Sequence, residues 1–229
     1  MYYPFFDSTM IVLIPAIILA VYAQSKVKST YAKYIRINSK KGFTGAEIAR
    51  AILDSNGLQD VRVEHIRGVL TDHYDPRTRV LRLSDQVYAG STISSSAIAA
   101  HEVGHALQHS SSYAPLSFRN AIVPVVSFAS NLSWLFILGG LFLSMTGLID
   151  IGIILFTASV VFQIVTLPVE FNASSRALYQ LESTGALTRD EIPHGKKVLD
   201  AAALTYVAAT ATAIAQLLRL LLLRERTRD

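Results

Sequence analysis

Residues 122–169 read "IVPVVSFASNLSWLFILGGLFLSMTGLIDIGIILFTASVVFQIVTLPV", and Asp150 is the one charged side chain among them. A helix on the surface of a water-soluble protein keeps a polar face. This stretch has none. The short break at "TGLID" divides it into runs of 122–145 and 148–169, each long enough as a helix to cross about 30 Å of hydrocarbon. The stretch therefore reads as a membrane hairpin, with its turn near Asp150.

Two more apolar runs lie outside the hairpin. Residues 4–23 form the first, followed by Lys26, Lys28, Lys33, Arg36, Lys40 and Lys41 with no acid between residues 25 and 44. In a signal peptide, positive charge precedes the apolar run; here it follows, which predicts an anchor with its N-terminus outside. A basic run beside an apolar segment faces anionic lipid and sets topology, so a lipid bilayer is expected as partner and nucleic acid is not. Residues 201–223 are rich in Ala and Thr, which let membrane helices pack closely. If that helix spans, the tail "RERTRD" lies outside against the positive-inside tendency; the alternative is a helix packed obliquely. Whole-chain composition agrees with a membrane protein: 51% of residues are hydrophobic, 17% are charged and the mean hydropathy is +0.37. Cysteine is absent, so any metal site must use His, Asp or Glu.

Between the first anchor and the hairpin the pattern changes to α+β. "TGAE" is a capping box, with Thr44 as N-cap and Glu47 three residues on. Ile48, Ile52 and Leu53 recur at helical spacing, and Asn56-Gly57 stops the helix. "VRVEHI" (61–66) alternates as a strand does. "GVLTDHY" and "TRVLRLS" flank "DPRT", where Pro76 suits the second position of a turn. "TISSS" then supplies N-cap residues for a helix carrying "AAHEVGHALQH".

HEVGH matches H-E-x-x-H. His101 and His105 are one helical turn apart and project from the same face, so both imidazoles can reach one ion. Glu102 can take a proton from a water held there. A catalytic zinc has three protein ligands and an open position. His109 cannot be the third, because a helix separates it from His101 by about 12 Å. Glu170 is the best-placed carboxylate, at the end of an apolar run where an unpaired charge is costly. The competing reading makes it a first-turn acid favoured by a helix dipole. Glu182, Glu191 and Asp200 remain weaker competitors.

HEVGH, the hairpin and "PVEFNASSRAL" together resemble the YugP-type membrane zinc metallopeptidases of bacteria. The likeness extends over "GAEIARAILDSNGL", "LTDHYDPRTRVLRLS", "YAPLSFRNAIVP" and "AAALTYVAA". More distantly the chain is similar to gluzincin membrane proteases such as the heat-shock membrane protease and the prenyl-CAAX protease. The resemblance implies one zinc per chain, held by His101, His105 and Glu170, with Glu102 as general base. Two positions depart from the distant relatives: Ser174 stands where their ligand helix has Asp, and Arg176 lies one place after their Arg. The hairpin containing His73 resembles an edge strand beside the cleft, to which an extended peptide could add.

These readings predict a mainly α membrane protein with about four membrane helices and a small zincin-like α+β cytoplasmic domain. The expected segments are an anchor (1–24), a cytoplasmic metalloprotease region (25–120), the hairpin (121–169), a cytoplasmic helix with the glutamate (170–200), and a last membrane helix with basic tail (201–229). The expected activity is hydrolysis of peptides or membrane proteins at the cytoplasmic face of the plasma membrane, including quality control. His194, His73, Tyr74 and Arg176 have the chemistry to contact an oxyanion or substrate; His65 reads as a strand surface residue. The rival from another class is a catalytically silent membrane scaffold that retains the zinc-site fold. A transporter lacks support, because the apolar runs show no buried charge pair.

Overall fold

The computed structural model describes residues 8–228, so residues 4–7 of the first apolar run and Asp229 of the tail lie outside the description. The chain is mainly helical, and its elements separate into two compact units.

Unit 2 comprises residues 24–116 and 169–204. The long helix α1 (Ile14–Tyr34) enters it, followed by α2 (Gly45–Ser55), whose capping box forms as the sequence predicts. Three short strands follow: β1 (Arg62–Ile66), β2 (His73–Asp75) and β3 (Val80–Ser84). β3 is the middle strand, antiparallel to β2 and parallel to β1. The DPRT turn therefore makes the expected hairpin, while the Asp54–Val61 return brings β1 to the other edge of β3. After the short α3 (Asp85–Ala89), Thr92 caps α4 (Ile93–Ser110) by accepting from the Ser95 N–H at 3.1 Å. Ile48, Ile52, Leu53, Leu81, Leu83, Val103 and Leu181 are almost wholly buried together, so α4 runs through the centre of this core.

Unit 1 comprises residues 1–23, 117–168 and 205–229. It holds most of α5 (Ala114–Phe142), the first part of α6 (Thr146–Ser183) and the later part of α7 (Ile192–Arg228). Among the described residues, four helices are long and apolar enough to cross a membrane. Their small internal core is Ile137, Ile149, Ile153, Phe156 and Leu220, whereas Phe128, Leu135, Phe142 and Ile154 are left about 70% exposed (70%, 68%, 74% and 71%). Large apolar side chains left outside a packed bundle suit a hydrocarbon solvent. Gly152 lets α5 and α6 approach, since a Cβ there would lie 2.5 Å from Ile137.

Three sequence expectations change. Residues 170–200 do not form a helix of their own: α6 continues unbroken through Pro168 to Ser183. Glu170 consequently sits deep inside a helix, and the first-turn reading fails. The last helix also gains a definite course. Arg224 donates to both oxygens of Asp150 (2.7 and 3.1 Å), and the Thr210 hydroxyl donates to the Gln163 carbonyl at 3.3 Å. Helix α7 thus runs antiparallel to α6 between these contacts, and the first basic residue of the tail is paired with an acid. This pair is partly exposed and joins the hairpin's turn to the tail, so the apolar runs still show no buried charge pair among the described residues.

Candidate metal centre

In α4, His101 and His105 lie on the face turned toward the second half of α6. The two helices touch through backbone there: a Cβ on Gly104 would stand 2.6 Å from the Ala173 carbonyl oxygen. Only glycine permits that approach, and it brings Glu170, one turn before Ala173, against both histidines. Glu170 Oε2 lies 3.3 Å from His101 Nε2 and 3.5 Å from His105 Nε2. The imidazole rings are edge to face, with centroids 4.8 Å apart. All three ligand atoms fall within 4.8 Å of one another. The glutamate side chain is 4% exposed and the histidines 12% and 14%.

The outer nitrogens of the histidines are also held. Gln108 is fully buried and donates its amide N–H groups to the Val169 carbonyl (2.7 Å) and to Asn172 Oδ1 (3.0 Å). Its oxygen is thereby left facing His105 Nδ1 at 3.1 Å. An amide oxygen only accepts, so His105 carries a proton on Nδ1 and turns Nε2 toward Glu170. Ser174 Oγ lies 3.2 Å from His101 Nδ1. Arg176 donates to Asn172 Oδ1 at 2.8 Å and lies over the Tyr113 ring, 5.9 Å from its centroid. It ends a chain running Arg176, Asn172, Gln108, His105.

The electrostatics call for a cation. Burial opposes charging His105, yet the hydrogen bond to Glu170 and the negative charge of Glu102 outweigh it and raise its pKa above the ordinary imidazole value. Glu102 itself is partly exposed and has no hydrogen bond or ion pair among the described residues. A carboxylate beside two histidines and committed to nothing is available for proton transfer.

The other named residues have other partners. His109 Nδ1 accepts from or donates to the Tyr74 hydroxyl at 2.9 Å, so His109 and Tyr74 tie α4 to the edge strand. His73 Nδ1 bonds the Thr71 carbonyl at 2.9 Å, and His194 packs on Tyr34 with ring centroids 5.4 Å apart. His65 pairs with Asp85 at the surface. Among the competing acids, Glu191 accepts from Lys40 N and from Thr188, Asp200 pairs with Lys196, and Glu182 is exposed. Gln108 and Asn172 went unremarked in the sequence. The available signal was position: Gln108 is three residues after His105, on the same helical face.

Zinc fits this donor set. Bonds of about 2.0–2.1 Å put neighbouring ligands of a tetrahedron roughly 3.3 Å apart. The two Nε2–Oε2 separations, 3.3 and 3.5 Å, match that edge. A family profile described as "Putative neutral zinc metallopeptidase" matches residues 9–225. The chain belongs to this family. A relative from Bacillus subtilis (strain 168), described as "Putative membrane protease YugP", is 54% identical over 216 residues, covering 94% of this chain and 96% of that protein. No solved structure matches. For a member of a zinc metallopeptidase family, two imidazoles and a carboxylate within 4.8 Å of one another are the donors such a metal takes, and no cysteine competes for it.

Proposed function

We propose that the chain is a zinc-dependent endopeptidase of the H-E-x-x-H plus glutamate type. It cleaves membrane proteins or their exposed ends at the cytoplasmic face of the plasma membrane, including in quality control. The observation that carries this reading is a donor triad at zinc spacing beside a glutamate with no other partner. Within it, His101, His105 and Glu170 would hold the metal. Zinc bound there supplies Lewis acidity to the scissile carbonyl and acidifies a water molecule. Glu102 would accept a proton from the attacking water as its oxygen bonds to the carbonyl carbon, and would pass that proton to the leaving amine as the C–N bond breaks. Gln108 and Ser174 orient the imidazoles so that their lone pairs point inward. The acid-free basic run at residues 25–44 favours the cytoplasmic side for unit 2. The relative's description as a membrane protease and the four apolar helices support the membrane setting.

The test is purification of wild type, Glu102→Gln and Glu170→Ala in detergent, with zinc measured by atomic emission and cleavage of an unstructured protein followed on gels. Glu102→Gln is expected to keep one zinc per chain and lose cleavage by at least ~10²-fold, the scale of general acid–base catalysis. Glu170→Ala is expected to lose both. Undiminished cleavage by Glu102→Gln would remove the base, and full zinc in Glu170→Ala would remove the third ligand.

A further inference from the structure

Unit 2 holds a second cavity, of about 500 Å³, between the end of α1 and the start of α7. Lys26, Thr30, Lys33 and Tyr34 face it from α1 at helical spacings of four, three and one residues. Lys197, Ala201 and Leu204 face it from α7 with the same periodicity. The three lysines are exposed and have no anionic partner among the described residues; the Lys33 ammonium rests over the Tyr34 ring, 5.3 Å from its centroid. Asp200 also lines the cavity, but Lys196 already donates to both of its oxygens at 2.8 and 2.7 Å. That acid therefore does not quench the three lysines. Thr30 is only 9% exposed, and its hydroxyl has no hydrogen-bond partner among the described residues. An open hydroxyl beside three free cations suits an anion with several oxygens.

We propose that this cavity seats the phosphate of an anionic phospholipid headgroup, with the Thr30 hydroxyl and the Lys26, Lys33 and Lys197 ammoniums as its donors. Two features favour a lipid over a soluble phosphate. Lys26 is the third residue after Ala23, where the unit 1 part of α1 ends, and Leu204 immediately precedes Thr205, where the unit 1 part of α7 begins. The cavity thus lies, on both chain segments, where the apolar spans begin. Ala201 and Leu204 also give its wall an apolar portion, which suits glycerol and the first acyl carbons and gives a free phosphate nothing. The proposal is independent of peptidase activity.

The test is native mass spectrometry of the full chain, released from detergent after titration with phosphatidylglycerol, phosphatidylcholine or inorganic phosphate. One phosphatidylglycerol per chain is expected to be retained, and phosphatidylcholine is not. Each lysine near an anionic headgroup contributes about fivefold, so a K26Q/K33Q/K197Q variant is expected to bind roughly 100-fold more weakly. A K28Q/R36Q/K41Q variant removes the same charge outside the cavity and is expected to stay within about twofold of wild type. Thr30→Val keeps every charge and the side-chain shape; it is expected to cost about three- to tenfold, the worth of one hydrogen bond. Equal loss in both charge variants would overturn the site in favour of diffuse attraction. Displacement of the lipid by low-millimolar inorganic phosphate would overturn the lipid as its occupant.

Discussion

Gln108 uses its oxygen and both amide hydrogens at once, and each bond fixes something different. The oxygen sets the tautomer of His105; the hydrogens clamp α4 to the Val169 carbonyl and to Asn172 on α6. Gln108→Ala therefore loses more than one contact: it frees the imidazole and removes the side-chain bonds that join α4 to Val169 and Asn172. Zinc affinity is expected to fall about 10- to 100-fold, the usual cost of removing an outer partner of a ligand histidine. Competition against a chromophoric chelator measures it, and unchanged affinity would show that His105 needs no help. Ser174 gives the complementary experiment. A hydroxyl at 3.2 Å from His101 Nδ1 is a modest acceptor, whereas a carboxylate would be a charge-assisted one. Ser174→Asp is expected to hold or raise zinc affinity, by up to about tenfold, and Ser174→Ala to lower it. The order Asp, Ser, Ala in the same chelator assay is the check.

At the scale of elements, the centre depends on how closely α4 and α6 cross. Gly104 stands between the two ligand histidines in sequence and against the Ala173 backbone in space. Gly104→Ala cannot be relieved by rotating a side chain, because the obstructing atom is a carbonyl oxygen at 2.6 Å. The helices must part, Glu170 withdraws from the histidines, and overpacking of this kind costs about 1–3 kcal/mol. A lower melting temperature and at least tenfold weaker zinc binding are expected, and Ala173→Gly added to it is expected to rescue neither. The capping box at the start of α2 makes a separate, pH-dependent contribution. The Thr44 backbone N–H and hydroxyl both donate to Glu47, which holds its carboxyl below the ordinary value. A depressed acid stabilises the fold above its unfolded pKa of about 4.3, and that stability is lost as the pH falls through the folded value. Melting temperatures of wild type and Glu47→Gln are thus expected to differ most near neutral pH and to converge on acidification. The cap, the DPRT hairpin and the apolar runs were legible in sequence because each is a local pattern. The continuity of α6 through Pro168 was not, since the change from apolar to polar at Glu170 resembles a boundary although nothing in the backbone ends there. The meeting of Gln108 with Asn172 was equally hidden, being a contact 64 residues apart in sequence.

The whole molecule shares helices between its two units: α6 belongs to unit 1 up to Pro168 and to unit 2 from Val169. Glu170, the third proposed ligand, therefore lies on a helix whose earlier turns are packed by different neighbours. In unit 1 those neighbours are mostly apolar, and apolar contacts between membrane helices specify register weakly. The Asp150–Arg224 pair and the Thr210–Gln163 contact are directional, and they fix how α7 lies along α6. A charge pair that sets register and one that merely tolerates its surroundings respond differently to charge reversal. Asp150→Arg leaves two cations together at one end of the helix pair, and Arg224→Asp leaves two anions. Each is expected to lower the detergent melting temperature and the yield of folded protein. Asp150→Arg combined with Arg224→Asp restores opposite charges across the same two helices, and is expected to recover most of the loss. Recovery in the double variant, followed by thermal melts with size-exclusion detection, supports a register-setting pair. Additive losses with no recovery would show that the two residues act on α6 and α7 separately.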